Sequence, residues 1–251
     1  MMVSKTWNEF WGPLLLWRFH ENNPQRWTIR KKRAGWILSK ADLAAGSRIL
    51  DVGCGDGLLD ICLARLGAEV TAVDRVSSVL ELAEKEPDAD RVKFRSGDIR
   101  RMDFPDESFD LVLMMELVGL MSRDDDAGLF EKVRRWLSPG GRLLVDCPRE
   151  PAKEKTSFKQ EFPDGILEIE SGYEAQTRRQ SMIPRFHKKT GEIVELRDSY
   201  DDTIPDQTGV LRYIYPVKEL IRLLERNNLE VKELEHYVPG GFRLFMARKN
   251  I

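Results

Sequence analysis

The glycine-rich stretch DVGCGDG at residues 51–57 constrains this chain most strongly. Apolar Ile49 and Leu50 precede it. Between Leu58 and Leu66, apolar side chains recur at helical spacing. Glycine accepts positive φ and lets a ligand approach the backbone closely. The stretch therefore predicts a tight turn from a buried strand into a helix, with free N–H groups facing a ligand.

Acidic residues in this turn limit the class of ligand that it can bind. In the dinucleotide fingerprint G-x-G-x-x-G the third glycine opens a helix that holds a pyrophosphate, and here that position is Leu58. The carboxylates of Asp51 and Asp56 would repel a pyrophosphate and attract a cation. The turn therefore favours a positively charged, nucleoside-like cofactor over the NAD of an oxidoreductase.

Length and composition exclude several classes. A chain of 251 residues allows one large domain or a domain with an insertion, and its net charge of -2 offers no broad attraction to nucleic acid. Cys54, Cys62 and Cys147 do not form a disulfide framework or a zinc pattern, so no metal site is expected. No apolar run reaches the roughly 18 residues of a membrane span. We expect a cytoplasmic protein without a membrane partner.

Predicted strands alternate with predicted helices through the middle of the chain. Further strands are expected at 68–74, 91–95, 111–115 and 142–146. This order predicts a mostly parallel sheet covered by helices. Asp74 ends the second strand, where an acid can accept hydrogen bonds from ribose hydroxyls. Ligands bind at the carboxyl ends of parallel strands, so Met115 and Glu116 are expected near the reactive end of the cofactor.

The turn at 51–57 resembles motif I of the class I S-adenosylmethionine (SAM) methyltransferases, whose cofactor carries a sulfonium and an ammonium group. Three later segments resemble elements of the same family in the same order: Ser96-Gly97-Asp98-Ile99, Phe104-Pro105-Asp106-Glu107-Ser108-Phe109-Asp110, and the run WLSPGGRLLV at 136–145. The resemblance covers residues 46–147. It implies that Asp98 accepts a hydrogen bond from the adenine amine and that Ile99 covers the ring.

The resemblance implies a three-layer, Rossmann-like, seven-stranded α/β sheet, mostly parallel, with the last strand inserted antiparallel beside the fifth. After residue 162, segments in which apolar and polar residues alternate predict a small antiparallel β insertion. The expected divisions are an N-terminal helical cap or lid (1–45), a SAM-binding core (46–148), the insertion over the active site (149–215), and the last helix and strands (216–251). The expected cofactor-binding residues are Asp51, Gly53, Cys54, Gly55, Gly57, Asp74, Arg75, Asp98, Ile99 and Met115.

By this resemblance the protein moves a methyl group from SAM to an N or O nucleophile and releases S-adenosylhomocysteine (SAH). Aromatic residues before residue 28 and the insertion can close a pocket, which favours a small-molecule acceptor. Glu116 and His187 are the candidate bases. Further candidate pocket residues are Tyr173, Arg185, Tyr200, Tyr213 and Tyr215.

Several alternatives stay open at this point. The acceptor could instead be a protein or an RNA, or the chain could bind SAM without catalysis. The basic run at 30–33 is either a solvated helix face or a contact to an acidic substrate or to the cofactor carboxylate. A monomer or a homodimer is expected. The sequence does not identify the acceptor, its accepting atom or the pathway.

Overall fold

The protein was analysed as a computed structural model, which describes residues 1–10, 12, 14, 23–196, 209–234 and 241–250. Its helices are α1 Trp7–Phe10, α2 Arg26–Lys40, α3 Leu58–Arg65, α4 Ser77–Ala83, α5 Arg123–Trp136 and α6 Val217–Arg226. Its strands are β1 Met2–Lys5, β2 Arg48–Val52, β3 Glu69–Asp74, β4 Val92–Ser96, β5 Phe109–Met114, β6 Leu137–Pro148, β7 Lys155–Phe162, β8 Gly165–Glu174, β9 Arg179–Lys188, β10 Ile193–Leu196, β11 Val210–Tyr213, β12 Leu229–Leu234 and β13 Phe242–Lys249.

Seven strands form the main sheet in the order β12-β13-β6-β5-β2-β3-β4. Neighbouring strands from β6 to β4 are parallel, whereas β13 runs antiparallel to both β6 and β12. The mostly parallel sheet with an inserted antiparallel strand is thus confirmed. Strand β5 shows why this order forms, because Leu111, Val112 and Leu113 are fully buried, as the centre of a doubly covered parallel sheet requires.

Helices cover both faces of the main sheet. On one face Val112 and Met114 pack with Phe130 of α5 and Leu224 of α6. The opposite face belongs to a separate apolar cluster that includes side chains of α2 and α3. Because successive strand residues point to opposite faces, the sheet lies between two helical layers. The predicted three-layer architecture is confirmed.

A second sheet follows the order β1-β10-β9-β8-β7, and β11 also pairs with β9. It is antiparallel apart from β1, which runs parallel to β10. The predicted β insertion therefore exists, but two of its strands were not expected. Strand β7 ends at residue 162, after which the alternation was expected, and β1 lies within the expected helical cap. Both strands lie at sheet edges and bury little of their surface, so neither shows an alternation of apolar and polar residues.

The second sheet packs against the main sheet. Leu167, Phe186 and Val194 are buried in the same apolar cluster as Val112 and Phe245. A sheet of this size buries too little apolar surface to be stable without such support. Among the described residues, no helix is both long and apolar enough to cross a membrane.

Candidate functional site

The glycine turn between β2 and α3 has the geometry that the sequence predicts. Gly53, Gly55 and Gly57 adopt φ values of 81°, 55° and 65°. A Cβ on Gly57 would lie 2.7 Å from the Cβ of Ala83 and 2.8 Å from the ring of Phe94. Gly57 therefore allows close packing below the turn, whereas Gly53 faces a cavity above it.

This inner cavity, of about 140 Å³, lies at the carboxyl ends of β2, β3 and β5. Main-sheet and loop residues form most of its wall, and Trp7 of α1 contributes from the N-terminal segment. The lining residues are Trp7, Gly53, Val73, Asp74, Arg75, Gly97, Ile99, Met115, Glu116, Leu117 and Leu120.

Asp74 lies at the edge of the inner cavity and holds the turn in place. Its Oδ2 accepts a hydrogen bond from the N–H of Gly55 and its Oδ1 accepts one from the N–H of Val76, both at 2.9 Å. Burial raises the pKa of this carboxyl, while the two backbone donors oppose that shift. A carboxylate can accept about four hydrogen bonds, so Asp74 retains acceptor capacity toward a ligand.

Asp51 lies beneath the turn and does not line the inner cavity. Its carboxyl contacts that of Asp60, which is fully buried and finds no donor among the described residues. Two buried carboxyl groups in contact must keep a proton between them. Burial raises the pKa of Asp51 to about 7, and burial beside Asp51 raises the pKa of Asp60 well above its usual value. Asp51 therefore supports the turn from below.

Arg33 of α2 is half-buried near this region and does not line the inner cavity. Its Nη2 is buried and has no hydrogen-bond partner among the residues the structure describes. Its charge lowers the pKa values of both Asp51 and Asp146, opposing the larger effect of burial, so it lies near the ends of β2 and β6. A buried donor without a partner is suited to an anionic ligand group.

A second cavity, of about 220 Å³, adjoins the first and shares Trp7, Asp74, Glu116 and Leu120 with it. Most of its remaining wall is apolar and comes partly from the second sheet. These further residues are Gly55, Val76, Val79, Met182, Val210 and Arg212. We call it the adjoining cavity.

Glu116 stands at the boundary of the two cavities in a left-handed backbone conformation, with φ 59°. Its N–H donates to Asp146 Oδ1 at 2.6 Å, and its carbonyl accepts a hydrogen bond from Nη2 of Arg212. A non-glycine residue pays a conformational cost there, and such residues cluster at functional sites. These two backbone contacts keep the Glu116 side chain at the boundary.

Buried charges underlie this boundary. Burial raises the pKa values of Asp146 and Asp126 to about 7. Asp126 accepts hydrogen bonds from the Tyr215 hydroxyl and the Gly119 N–H, both at 3.0 Å. Burial also lowers the pKa of Arg212, while the surrounding carboxyls oppose that shift.

The predicted cofactor residues fall into three groups. Those that line the inner cavity are Gly53, Asp74, Arg75, Ile99 and Met115. Gly55 lines the adjoining cavity, and the other four line neither cavity: Asp51, Cys54 and Gly57 of the turn, and Asp98 after β4. The Asp98 carboxylate pairs with Arg100 at 2.6 Å. Burial alone would raise the pKa of Asp98, but the Arg100 guanidinium lowers it overall.

The two candidate bases have different surroundings. Glu116 lines both cavities, whereas His187 lies in β9 with its Nε2 3.2 Å from Glu168 and lines neither. Tyr173 and Arg185 also lie outside both walls, and Tyr215 is buried against Asp126. Tyr200 lies outside the described residues.

Sequence reasoning missed Arg212, Met182 and Val210, which the second sheet brings to the adjoining cavity. None of the three left a signal in the sequence: Val210 and Arg212 share the buried face of β11, but which face is buried depends on how the second sheet packs. In the described part of the chain, no three His, Cys, Asp or Glu side chains gather as a metal site would require.

Comparisons with known proteins agree with this geometry. Residues 49–141 match the family model described as "Methyltransferase domain". The mitochondrial ubiquinone biosynthesis O-methyltransferase of Schizosaccharomyces pombe is 32% identical over 150 residues, which cover 57% of this chain and 51% of that protein. The chain thus spans about half the length of this relative.

Two solved structures share the fold across most of the chain. The CcbJ methyltransferase from Streptomyces caelestis aligns with a TM-score of 0.71 at 19% identity, covering 91% of both chains. SAM-bound CalS10, an amino pentose methyltransferase from Micromonospora echinaspora, aligns at 0.64 and 21% identity, covering 92% of this chain and 95% of that one. At such low sequence identities these two comparisons show a shared fold and nothing more.

Proposed function

Because residues 49–141 match the methyltransferase-domain family model and the chain shares its fold with solved methyltransferases, we propose that this protein is a SAM-dependent methyltransferase. Its acceptor would be an N or O nucleophile of a small molecule, and SAH would be released. One observation carries the proposal: the inner cavity, which Asp74 flanks, opens beside an apolar cavity, with the Glu116 carboxylate at their boundary.

The residues around the inner cavity fit SAM. Asp74 would accept hydrogen bonds from the ribose hydroxyls, and Ile99 would cover the adenine. The buried Nη2 of Arg33, which lacks a partner among the described residues, suits the carboxylate of the methionine part. Gly53 leaves room beside the backbone for the same part of the cofactor. Asp98 fits less well, because Arg100 already holds its carboxylate.

When bound, SAM supplies an electrophilic methyl group on a sulfonium. The chain's own contribution is then to position the acceptor and to exclude water. Apolar side chains such as Val79, Met182 and Val210 shield the adjoining cavity. Positioning of this kind supplies roughly 7–11 kcal/mol of barrier lowering in well-oriented reactions. Glu116 would accept a hydrogen bond or a proton from the acceptor nucleophile.

A small acceptor suits the dimensions and walls of these cavities. The second sheet contributes Met182, Val210 and Arg212 to the adjoining cavity, and Trp7 covers it from the N-terminal segment. The name of the Schizosaccharomyces pombe relative, an O-methyltransferase, supports an oxygen acceptor, and that of another matched relative, a phosphoethanolamine N-methyltransferase, supports a nitrogen acceptor. The cytoplasmic location, the oligomeric state and the division of the chain at 45, 148 and 215 stay predictions.

Calorimetric titration with SAM, SAH and NADH in parallel tests the cofactor assignment. We expect SAM and SAH to bind and NADH not to bind. Asp74→Ala should weaken SAH binding by at least about tenfold, because it removes an acceptor and frees the N–H groups of Gly55 and Val76. Asp90→Ala, at an exposed carboxylate, is the matched control and should bind like the wild type.

Circular dichroism of both variants separates a lost contact from lost structure. Binding of NADH in place of SAM would overturn the proposal. SAM binding without SAH release from any acceptor in a panel of amines, phenols and alcohols would favour the non-catalytic alternative. Turnover on a protein or RNA alone would replace the small-molecule acceptor.

A further inference from the structure

A third cavity, of about 390 Å³, lies beyond the adjoining cavity. The N-terminal end of α5 forms one wall, through Ser122, Arg123 and Asp124. Strand β11 forms the other wall, through Leu211, Arg212 and Tyr213, and Arg179 of β9 completes it. We call it the outer cavity.

Positive side chains outnumber negative ones in this wall. Three guanidinium groups face one carboxylate, that of Asp124. Arg123 lies 4.9 Å above the ring of Tyr213 and pairs with Glu219, so its orientation is fixed. Arg179 is exposed and has no ion pair among the described residues. One positive charge in the wall therefore lacks a partner in that part of the chain.

Arg212 contributes a buried donor to the same wall. Its side chain is only 7% exposed, and its Nε has no hydrogen-bond partner among the described residues. Asp146, Glu116 and Asp126 surround this guanidinium and offset its charge. Arg212 therefore offers a directed N–H donor, while Arg179 provides the positive charge that has no partner among the described residues.

The outer cavity borders the site of the proposed reaction. Leu120 and Arg212 line both the adjoining and the outer cavity. A molecule with its nucleophile beside Glu116 can therefore extend past Leu120 and place its far end among the arginines. Guanidinium groups present paired donors that match the oxygens of carboxylates and phosphates.

We infer that the outer cavity is an anion subsite, which binds a phosphate or carboxylate group of the methyl acceptor at the end opposite the methylated atom. The inference rests on the proposed function and adds the chemical class of the acceptor. Arg179 binds the anion by charge, and the Nε of Arg212 donates a hydrogen bond to it. A buried donor left without a partner is costly, so a ligand that satisfies it gains affinity.

Three probes of similar size test the subsite by calorimetry with the SAH-saturated protein: phenyl phosphate, benzoate and benzyl alcohol. We expect an anionic probe to bind at least about tenfold more tightly than the neutral alcohol. Arg179→Gln should weaken that anion by about tenfold, because it removes a charged donor. Arg134→Gln, at an exposed arginine of α5 far from this wall, is the matched control and should leave binding unchanged.

Whether phenyl phosphate or benzoate binds more tightly tells whether the subsite prefers a phosphate or a carboxylate group. Tight binding of either anion supports the subsite. Equal binding of benzyl alcohol, absence of binding by both anions, or equal effects of Arg179→Gln and Arg134→Gln would overturn it. If SAH itself fails to bind, the proposed function fails. The same probes titrated into the unliganded protein then still test the subsite alone.

Discussion

Asp126 illustrates how one buried carboxyl makes the stability of the protein depend on pH. It is fully buried and accepts hydrogen bonds from Tyr215 and Gly119, while its Oδ1 has no partner in the described part of the chain. Burial outweighs those donors and raises its pKa from 3.8 to about 7. The folded protein therefore keeps a proton that the unfolded chain loses above about pH 4.

The sign of the effect follows from this difference. A raised carboxyl pKa stabilises the folded state below pH 3.8, and that contribution falls as pH rises toward 7. Asp126→Asn keeps an acceptor for Tyr215 and Gly119 but cannot ionise. We expect the variant's free energy of unfolding to fall less between pH 5 and 7, by up to about 1.4 kcal/mol per pH unit.

Urea denaturation at several pH values measures this slope. Asp90→Asn, at an exposed carboxyl, is the control and should keep the wild-type slope. Identical slopes for wild type and Asp126→Asn would show that Asp126 is ionised in the folded protein across this range.

Individual site residues were predictable where a motif fixes their place on the backbone. Asp74, Ile99 and Met115 follow strand ends, and the cavities lie there because parallel strands end at one edge of the sheet. Arg212 was not predictable, because it reaches the backbone of Glu116 across 96 positions of sequence. Such a contact depends on how the second sheet packs, which local pattern does not encode.

Elements were predictable in proportion to their burial. Strands β2, β3 and β5 are apolar runs between turn signals, and the sequence locates them closely. Strand β7 has only one buried residue among eight, so nothing in its side chains marks a strand. Its conformation comes from backbone pairing with β8, which a single sequence does not reveal.

The turn between β2 and α3 provides a test at this scale. Gly57→Ala would place a Cβ 2.7 Å from that of Ala83. At this distance the two atoms overlap, so α4 would have to shift to make room. Gly191→Ala is the matched control, since Gly191 has a similar φ of 85° but no atom within 4 Å of its Cβ position. We expect Gly57→Ala to lower the free energy of unfolding by about 1–3 kcal/mol more than the control does.

Urea midpoints measure that difference, and SAH titration tells whether the turn also loses its ligand geometry. Equal midpoints for the two variants would mean that α4 and β4 adjust freely around the turn, contrary to the close packing described above.

At the scale of the whole molecule, the two sheets share one apolar core. Phe186 of β9 is fully buried and belongs to the same cluster as Trp136 and Phe245 of the main-sheet layers. Core residues of this kind hold both sheets in a single cooperative unit. A destabilising substitution in the second sheet should therefore also destabilise the main sheet.

Phe186→Ala tests this coupling. We expect the free energy of unfolding to fall by about 3–5 kcal/mol, with transitions by circular dichroism and by tryptophan fluorescence still coinciding. Phe158→Ala is the control, because Phe158 lies on β7 with 49% of its surface exposed. An early, separate transition in Phe186→Ala would show instead that the second sheet melts independently.

Strand β1 has a consequence for the order of events during synthesis. Met2 pairs with Ile193, about 190 positions later, and Trp7 of the cavity wall follows β1 directly. The residues of β1 therefore leave the ribosome about 190 residues before their pairing partner does. The main sheet's parallel strands β2 to β6 can assemble during that interval, so the wall that Trp7 forms is completed only after the floor beneath it.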